Sequence, residues 1–312
     1  MMVSKRWISF FSVVLACVMV FGCVVAEEEA PQRLLLPDDL PQMVKVTFAD
    51  DIEYEAPAKP ENNYKANQSN FSEDNMSYHD DSLDVQVHMI RAYDTPIAVV
   101  FVQIADPQQL RTEQAKKYPS KATMRIDTMG KRVNAVVAIN ADWFTYHNDG
   151  IIYRNGERLR NRADETYDGL AIDVNGDFHI VRPMIEEEYA KITTPIWQSF
   201  AFGPALVMDG EVLEIVNRKV TYKQRCAIGQ IAPLSYVLVA TDGPDQPDSF
   251  GLSVPQLAEL MHALGAHTAY NLDGGQSTSM LMNMVKINGQ APKTMRAIGD
   301  IIYFTTAIPS EE

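Results

Sequence analysis

Of the Asn-Gly and Asp-Gly dipeptides in the chain, Asn155-Gly156, Asn175-Gly176, Asp209-Gly210 and Asn288-Gly289 are each flanked by strand-like stretches. Such pairs accept positive φ at low cost and favour the two-residue turns of antiparallel hairpins. That punctuation excludes a helical bundle and predicts an α+β fold, a β-rich single domain of antiparallel hairpins with a few packed helices. The alternation of Val85, Val87 and Met89 with polar neighbours fits a half-buried strand. The runs at 133–139 (VNAVVAI) and 236–240 (YVLVA) lack a polar face and read as central strands buried on both sides. One helix is clearly delimited at 254–264. Ser253 and Gln256 form a capping box, Leu257, Leu260, Met261 and Leu264 make one stripe, and Gly265 ends it. A second helix is expected over 121–131.

The domain so defined begins near residue 82. Ahead of it, Lys5 and Arg6 precede an uncharged apolar run from Trp7 to Ala26, and Glu27, Glu28 and Glu29 follow at once. This is the layout of an export signal, with a membrane anchor or a lipoprotein cysteine at Cys23 as alternatives. Each of the three places the body outside the cytoplasm, secreted or tethered to the outer face of the membrane. Residues 27–81 hold 14 acids against 4 bases, so they carry most of the formal net charge of −14. Their Pro-, Asn- and Glu-rich stretch predicts an acidic flexible leader. An acidic chain without a basic stripe is not expected to bind nucleic acid. Three cysteines, Cys17, Cys23 and Cys226, form no zinc-type spacing. No cofactor is expected.

Polar residues gather in a few places. The segment Tyr270-Asn271-Leu272-Asp273-Gly274-Gly275-Gln276-Ser277-Thr278-Ser279-Met280 follows the capped helix. Adjacent glycines can let backbone N–H groups cradle an anion, with Asp273 as an acid/base group and Ser277 as a hydroxyl donor. By its local chemistry alone the same Asp-Gly pair reads more readily as a plain hairpin turn. Asn140-Ala141-Asp142-Trp143-Phe144 ends a buried strand with an amide, a carboxylate and two aromatics, which read more readily as core than as a sugar platform. Arg225 and Arg296 each stand beside a strand and a glycine, where an arginine can clamp a phosphate or join a surface ion pair. Cys226, among apolar neighbours, reads as an inert core thiol.

In this order the segments resemble the phosphodiester glycosidase family, over roughly Tyr78 to Phe304. The carriers are Asn140–Phe144, Arg154-Asn155-Gly156-Glu157, Phe202–Leu206, Gln224–Gly229, Asn271–Met280, and Arg296 with Asp300. Ala141 and Gln276 stand where the family commonly has glycine, and Pro244 where it has arginine. The resemblance implies an extracytoplasmic hydrolase of sugar-1-phosphodiesters, with a glycosyl phosphodiester as its substrate and partner. Asp273 and Asp142 are then the catalytic carboxylates and Asn140 orients. Arg225, Arg296, Gly274, Gly275 and Ser277 bind the phosphate. Two other functions fit the same residues: a noncatalytic surface glycan-binding module, and a metal-dependent phosphodiesterase using Asp142, His147, Asp149 and Asp273. The sequence assigns neither a metal requirement nor an oligomeric state.

Overall fold

The apolar runs without a polar face are buried from two sides, because two antiparallel sheets face each other and each carries a helix on its outer surface. The computed structural model describes residues 64–215, 220–289 and 295–309, with Leu34, Leu36, Leu40 and 46–48. One sheet has eight strands, in the order Ser77–His79, Leu83–Ala92, Thr95–Ile104, Ser235–Thr241, Cys226–Ala232, Thr268–Leu272, Ala205–Met208 and Glu211–Val212. The other has five: Val285–Lys286, Met280–Met282, Val137–Asn140, Asp300–Phe304 and Leu110–Gln114.

Successive side chains of a strand point to opposite faces, and these strands send both sets into apolar surroundings. Val100, Ile228, Leu238 and Tyr270 from the large sheet meet Ile139, Met280 and Ile302 from the small one in the central core. Val99, Ala227, Val239 and Ala269 face outward and pack under the Val254–Ala263 helix. Ala138, Leu281, Ile301 and Tyr303 face the opposite way, against the Ile126–Arg132 helix. The layers therefore run helix, sheet, sheet, helix. Smaller pieces complete the fold: a three-stranded sheet of Phe178–Val181, Gly169–Asp173 and Ile196–Ala201, and the Gly150–Arg154/Glu157–Arg162 hairpin.

The expected β-rich α+β class is observed. Asn155-Gly156 and Asp209-Gly210 make hairpins with both residues at positive φ, and Asn175-Gly176 joins two paired strands. Among the described residues, Asn288-Gly289 joins no pair of strands. The Asn288 side chain instead braces the preceding backbone, accepting from Met280 N–H at 2.8 Å and donating to Thr278 C=O at 3.2 Å. The main helix carries the capping box as read, and Gly265 ends it at φ +89°. The second helix starts later than 121, because Met124–Arg125 is drawn into pairing with Ala297–Ile298.

The domain boundary also moves. Residues 64–81, read as leader, belong to the body: Ser77–His79 pairs with the next strand and Tyr78 is buried. Leu34, Leu36 and Leu40 pack half-buried against the helix-side core, and the Val46 backbone exchanges hydrogen bonds of 2.6 and 2.7 Å with the Gln103 amide. The run 7–26 and most of the leader lie outside the described residues, and no helix among those described is long and apolar enough to cross a membrane.

Leu260 is fully buried on the helix face read from sequence. Replacing it with Ala is expected to cost roughly 2–5 kcal/mol in urea unfolding, from lost apolar contact and the cavity left behind. A change within about 0.5 kcal/mol, as at surface sites, would contradict this packing.

Candidate active site

The polar segments converge where the two sheets meet. Thr268–Leu272 belongs to the large sheet and Met280–Met282 to the small one, so Asp273–Ser279 is the crossover between them. The segment is not a plain hairpin turn, and several of its backbone donors are taken within the chain. The N–H of Asp273 donates to Ala141 C=O at 3.2 Å, that of Gly275 to Gln224 C=O at 2.9 Å, and those of Ser277 and Thr278 to Gly274 and Gly275 C=O at 3.3 and 3.1 Å. Gly274 is demanded by close approach, since a Cβ there would lie 2.8 Å from Gln224 O. Gly275 is demanded by conformation, at φ +62°.

Asn140 pins this crossover. Its Nδ2 donates to Asp273 C=O at 2.7 Å, and its Oδ1 accepts from Ser279 N–H at 2.9 Å and from the Cys226 thiol at 3.2 Å. Cys226 is fully buried, and burial first, then the Asp273 charge, pushes its thiol well up, as expected of an inert core cysteine.

Beneath lies a buried ionic triad. Arg154 donates to Asp142 Oδ1 at 2.7 Å through Nη2 and to Asp300 Oδ2 at 2.9 Å through Nε. Its guanidinium sits between the Phe144 and Phe200 rings, 4.6 and 4.5 Å from their centroids. Both Asp142 oxygens are engaged, because Oδ1 also accepts from Phe144 N–H at 3.2 Å and Oδ2 accepts from Ala201 N–H at 2.8 Å. Asp300 differs: its Oδ1 is buried with no hydrogen-bond partner among the described residues.

Above the triad opens a pocket of about 220 Å³, whose walls include Asn140, Asp142, Trp143, Tyr146, Asp273, Ser277, Arg296 and Asp300. Burial pushes the Asp300 carboxyl up to about 8 against the opposing pull of Arg154, with Asp142 and Asp273 adding to the rise. Burial also raises Asp273, while the Ser277 hydroxyl, Arg296 and the Gly274 amide act to lower it. Arg296 is exposed and its Nη1 lies 3.3 Å from Ser277 Oγ. Trp143 and Tyr146 stand at the rim, 47% and 44% exposed, with ring centroids 5.8 Å apart. Phe144 alone of the two adjacent aromatics is core; Trp143 is presented to the pocket.

Asp273, Asp142, Asn140, Ser277 and Arg296 are thus brought together, and Arg225 is not. The Arg225 guanidinium donates to Leu252 C=O at 2.9 Å and Thr221 C=O at 2.7 Å, bracing two loops away from the pocket walls. His147 and Asp149 do not join the carboxylates either. His147 stacks on Tyr167 and Asp149 pairs with Arg162 at 3.4 Å. Among the described residues, no group of three or more His, Cys, Asp or Glu is arranged to hold a metal ion. Sequence reasoning gave no role to Arg154 or Asp300. Their one signal was membership of the Arg154–Glu157 and Arg296–Asp300 segments, which does not reveal that they meet.

Fold and site together define a two-sheet β-rich protein with a carboxylate- and arginine-lined pocket at the seam between its sheets. The sequence model for phosphodiester glycosidases matches residues 133–305, more than half of the chain, and this protein belongs to that family and so to the hydrolases. The catalytic domain of zebrafish N-acetylglucosamine-1-phosphodiester alpha-N-acetylglucosaminidase, auto-inhibited by its pro-peptide, is similar in fold. It shows a TM-score of 0.57 and 17% identity over 78% of this chain and 87% of that one. A hypothetical protein from Synechocystis is similar with a TM-score of 0.58 and 16% identity, over 72% of this chain and 62% of that one. The present chain therefore spans less than two thirds of that second structure. No curated protein matches the sequence.

Proposed function

We propose that the protein is an extracytoplasmic hydrolase of sugar-1-phosphodiesters, acting on phosphoglycans of the cell surface. The observation that carries this reading is the seam pocket, which sets two carboxyls, both raised by burial, beside an exposed arginine and two exposed aromatic rings. A carboxyl kept protonated by burial suits the acid of such a pair, and a neighbouring ionised carboxylate the base. Asp300, held protonated to about pH 8, is the proton donor through its unpartnered Oδ1. Asp273 is the base. Arg296 and Ser277 receive the phosphate, and the Trp143 ring offers an apolar face to the sugar.

In the reaction Asp273 takes a proton from water as its oxygen bonds to sugar C1. The bond from C1 to the phosphate oxygen breaks, its electron pair leaves with the phosphate, and Asp300 protonates that oxygen. Free sugar and a phosphomonoester result. Asp142 holds Arg154 and, through it, Asp300; Asn140 holds the backbone of Asp273. Export is supported by the uncharged run 7–26 behind Lys5 and Arg6 and its acidic sequel.

A product screen over sugar-1-phosphodiesters tests the reading. Free reducing sugar and phosphomonoester should accumulate in equal amounts, and chelators should not slow the reaction. Release of sugar phosphate, or no turnover of any diester, would overturn it. A pH profile gives a second check. Asp273 must be ionised and Asp300 protonated, so kcat should rise as Asp273 loses its proton and fall as the pH passes about 8. A rate still climbing well above pH 8 would remove Asp300 as the acid. For targeting, intact-mass measurement of native protein should show loss of the N-terminal segment or lipid on Cys23.

A further inference from the structure

The seam pocket carries its exposed aromatic rings on a loop, and a loop holds a geometry only as well as its supports do. Residues 141–149 link the Val137–Asn140 strand to the Gly150–Arg154 strand and bring Trp143 and Tyr146 to the pocket wall. Within the loop, the Tyr146 N–H donates to Trp143 C=O at 3.0 Å and closes one turn. Three further carbonyls of the loop are collected by a single side chain.

That side chain is Arg160. It stands on the Glu157–Arg162 strand opposite Ile152, which is fully buried, so its backbone is seated in a packed hairpin. Arg160 itself is 8% exposed. Its Nη1 donates to Phe144 C=O and to His147 C=O, both at 2.8 Å, and its Nη2 donates to Asp149 C=O. Nε reaches Gly150 C=O at 3.4 Å. The loop is wrapped around a guanidinium. A planar fork of N–H donors can span these carbonyls, whereas a lysine ammonium is a compact point charge that cannot. Burial disfavours the Arg160 charge, and the nearby Asp142 carboxylate acts against that effect.

The carboxylates of the pocket do not hang on this clasp. Asp142 is held by Arg154 and the Ala201 N–H, and the backbone of Asp273 by Asn140. The acid and base groups and the aromatic rings therefore have separate supports. We propose that Arg160 is a positioning residue: by fixing residues 144–149 it presets the Trp143 and Tyr146 rings, 5.8 Å apart and inclined at 46°, as a clamp for the sugar ring. The assignment rests on the seam pocket being the hydrolytic centre. Rings set in advance spare the substrate the cost of ordering the loop, so the clasp acts on binding and not on bond breaking.

Arg160→Lys keeps a positive charge and loses the fork. With a sugar-1-phosphodiester as substrate, KM should rise roughly fivefold or more while kcat stays within about twofold. In a Trp143→Ala/Tyr146→Ala background the same substitution should change kcat/KM by less than about twofold, because no clamp is left to preset. An unchanged KM, whatever happens to thermal stability, or an equal loss with and without the rings, would overturn the proposal and leave Arg160 a residue that only holds the fold. Hydrolysis of no diester would overturn the hydrolytic centre, and the clasp is then decided without turnover. The chain has three tryptophans, Trp7, Trp143 and Trp197, so 5-fluorotryptophan gives an assignable 19F signal for Trp143. That signal should broaden or split in Arg160→Lys relative to the wild type. An unchanged signal would overturn the clasp.

Discussion

Replacing Asp273 with Asn is expected to lower turnover by roughly two to four orders of magnitude while leaving the fold nearly unchanged. The crossover is held through the backbone of residue 273, whose N–H donates to Ala141 C=O and whose C=O accepts from Asn140. Asn retains that backbone and tolerates the same turn, so thermal unfolding should move little. What is lost is the ionisable oxygen proposed to take the proton from water, worth about 3–5 kcal/mol in the barrier at 1.36 kcal/mol per tenfold in rate. A folded Asp273→Asn protein with near-wild-type hydrolysis would remove Asp273 as the base. Asp142→Asn is a different experiment, because it weakens a carboxylate bound to Arg154. Its loss of activity should come with a loss of stability.

The largest stability effect is expected at Arg154. Its side chain is 1% exposed, and the Asp142 and Asp300 carboxyl groups it joins are fully buried. Arg154→Met fills similar space between the Phe144 and Phe200 rings but leaves Asp142 and Asp300 facing one another with no cation. Breaking a buried pair in this way costs roughly 3–5 kcal/mol. The sign of the pH dependence follows from the same groups. Without the guanidinium, which opposes the effect of burial on Asp300, that carboxyl's folded-state affinity for protons rises further, so the variant binds protons more readily folded than unfolded. Its deficit should therefore be smallest at acid pH and grow as the pH rises through the unfolded carboxyl range. Urea unfolding at pH 5 and pH 8 measures this. Adding Asp142→Asn and Asp300→Asn to the variant should return part of the loss. A cost below about 1 kcal/mol at pH 8 would show that the triad is not what holds this seam.

Much of the fold was legible because its signals are local. A capping box satisfies backbone donors within a single turn, and Asn155-Gly156 and Asp209-Gly210 reach positive φ wherever they occur, so the helix at 254 and these hairpins could be placed without tertiary information. The central strands were legible from the lack of a polar face, although the second sheet that makes both faces apolar was not. Helix 121–131 was misjudged at its start because Met124–Arg125 gains more by pairing with Ala297–Ile298, some 170 residues on, than its local pattern reveals. The boundary at 82 failed for a similar reason. Composition marks 64–81 as polar, but the pairing of Tyr78 with Val85 and its burial are decided across strands.

The sequence by itself therefore determined the β-rich class, the capped helix, most of the tight turns and the family, since each rests on neighbouring residues or on ordered short motifs. Only the tertiary structure decided what the polar residues do. Asp273-Gly274-Gly275 could be a hairpin or an anion cradle by local chemistry; stacking two sheets makes it the crossover between them, its amides spent on Ala141 and Gln224. Two arginines looked alike in sequence, yet Arg296 opens onto the pocket and Arg225 is drawn onto loop carbonyls. Arg154 and Asp300 stand 146 residues apart and carry no mutual signal, and their partnership exists because both strands deliver them to one buried point. There the low dielectric makes an unpaired charge costly, so geometry, and not residue type, determines which carboxyl is tied and which retains a free oxygen.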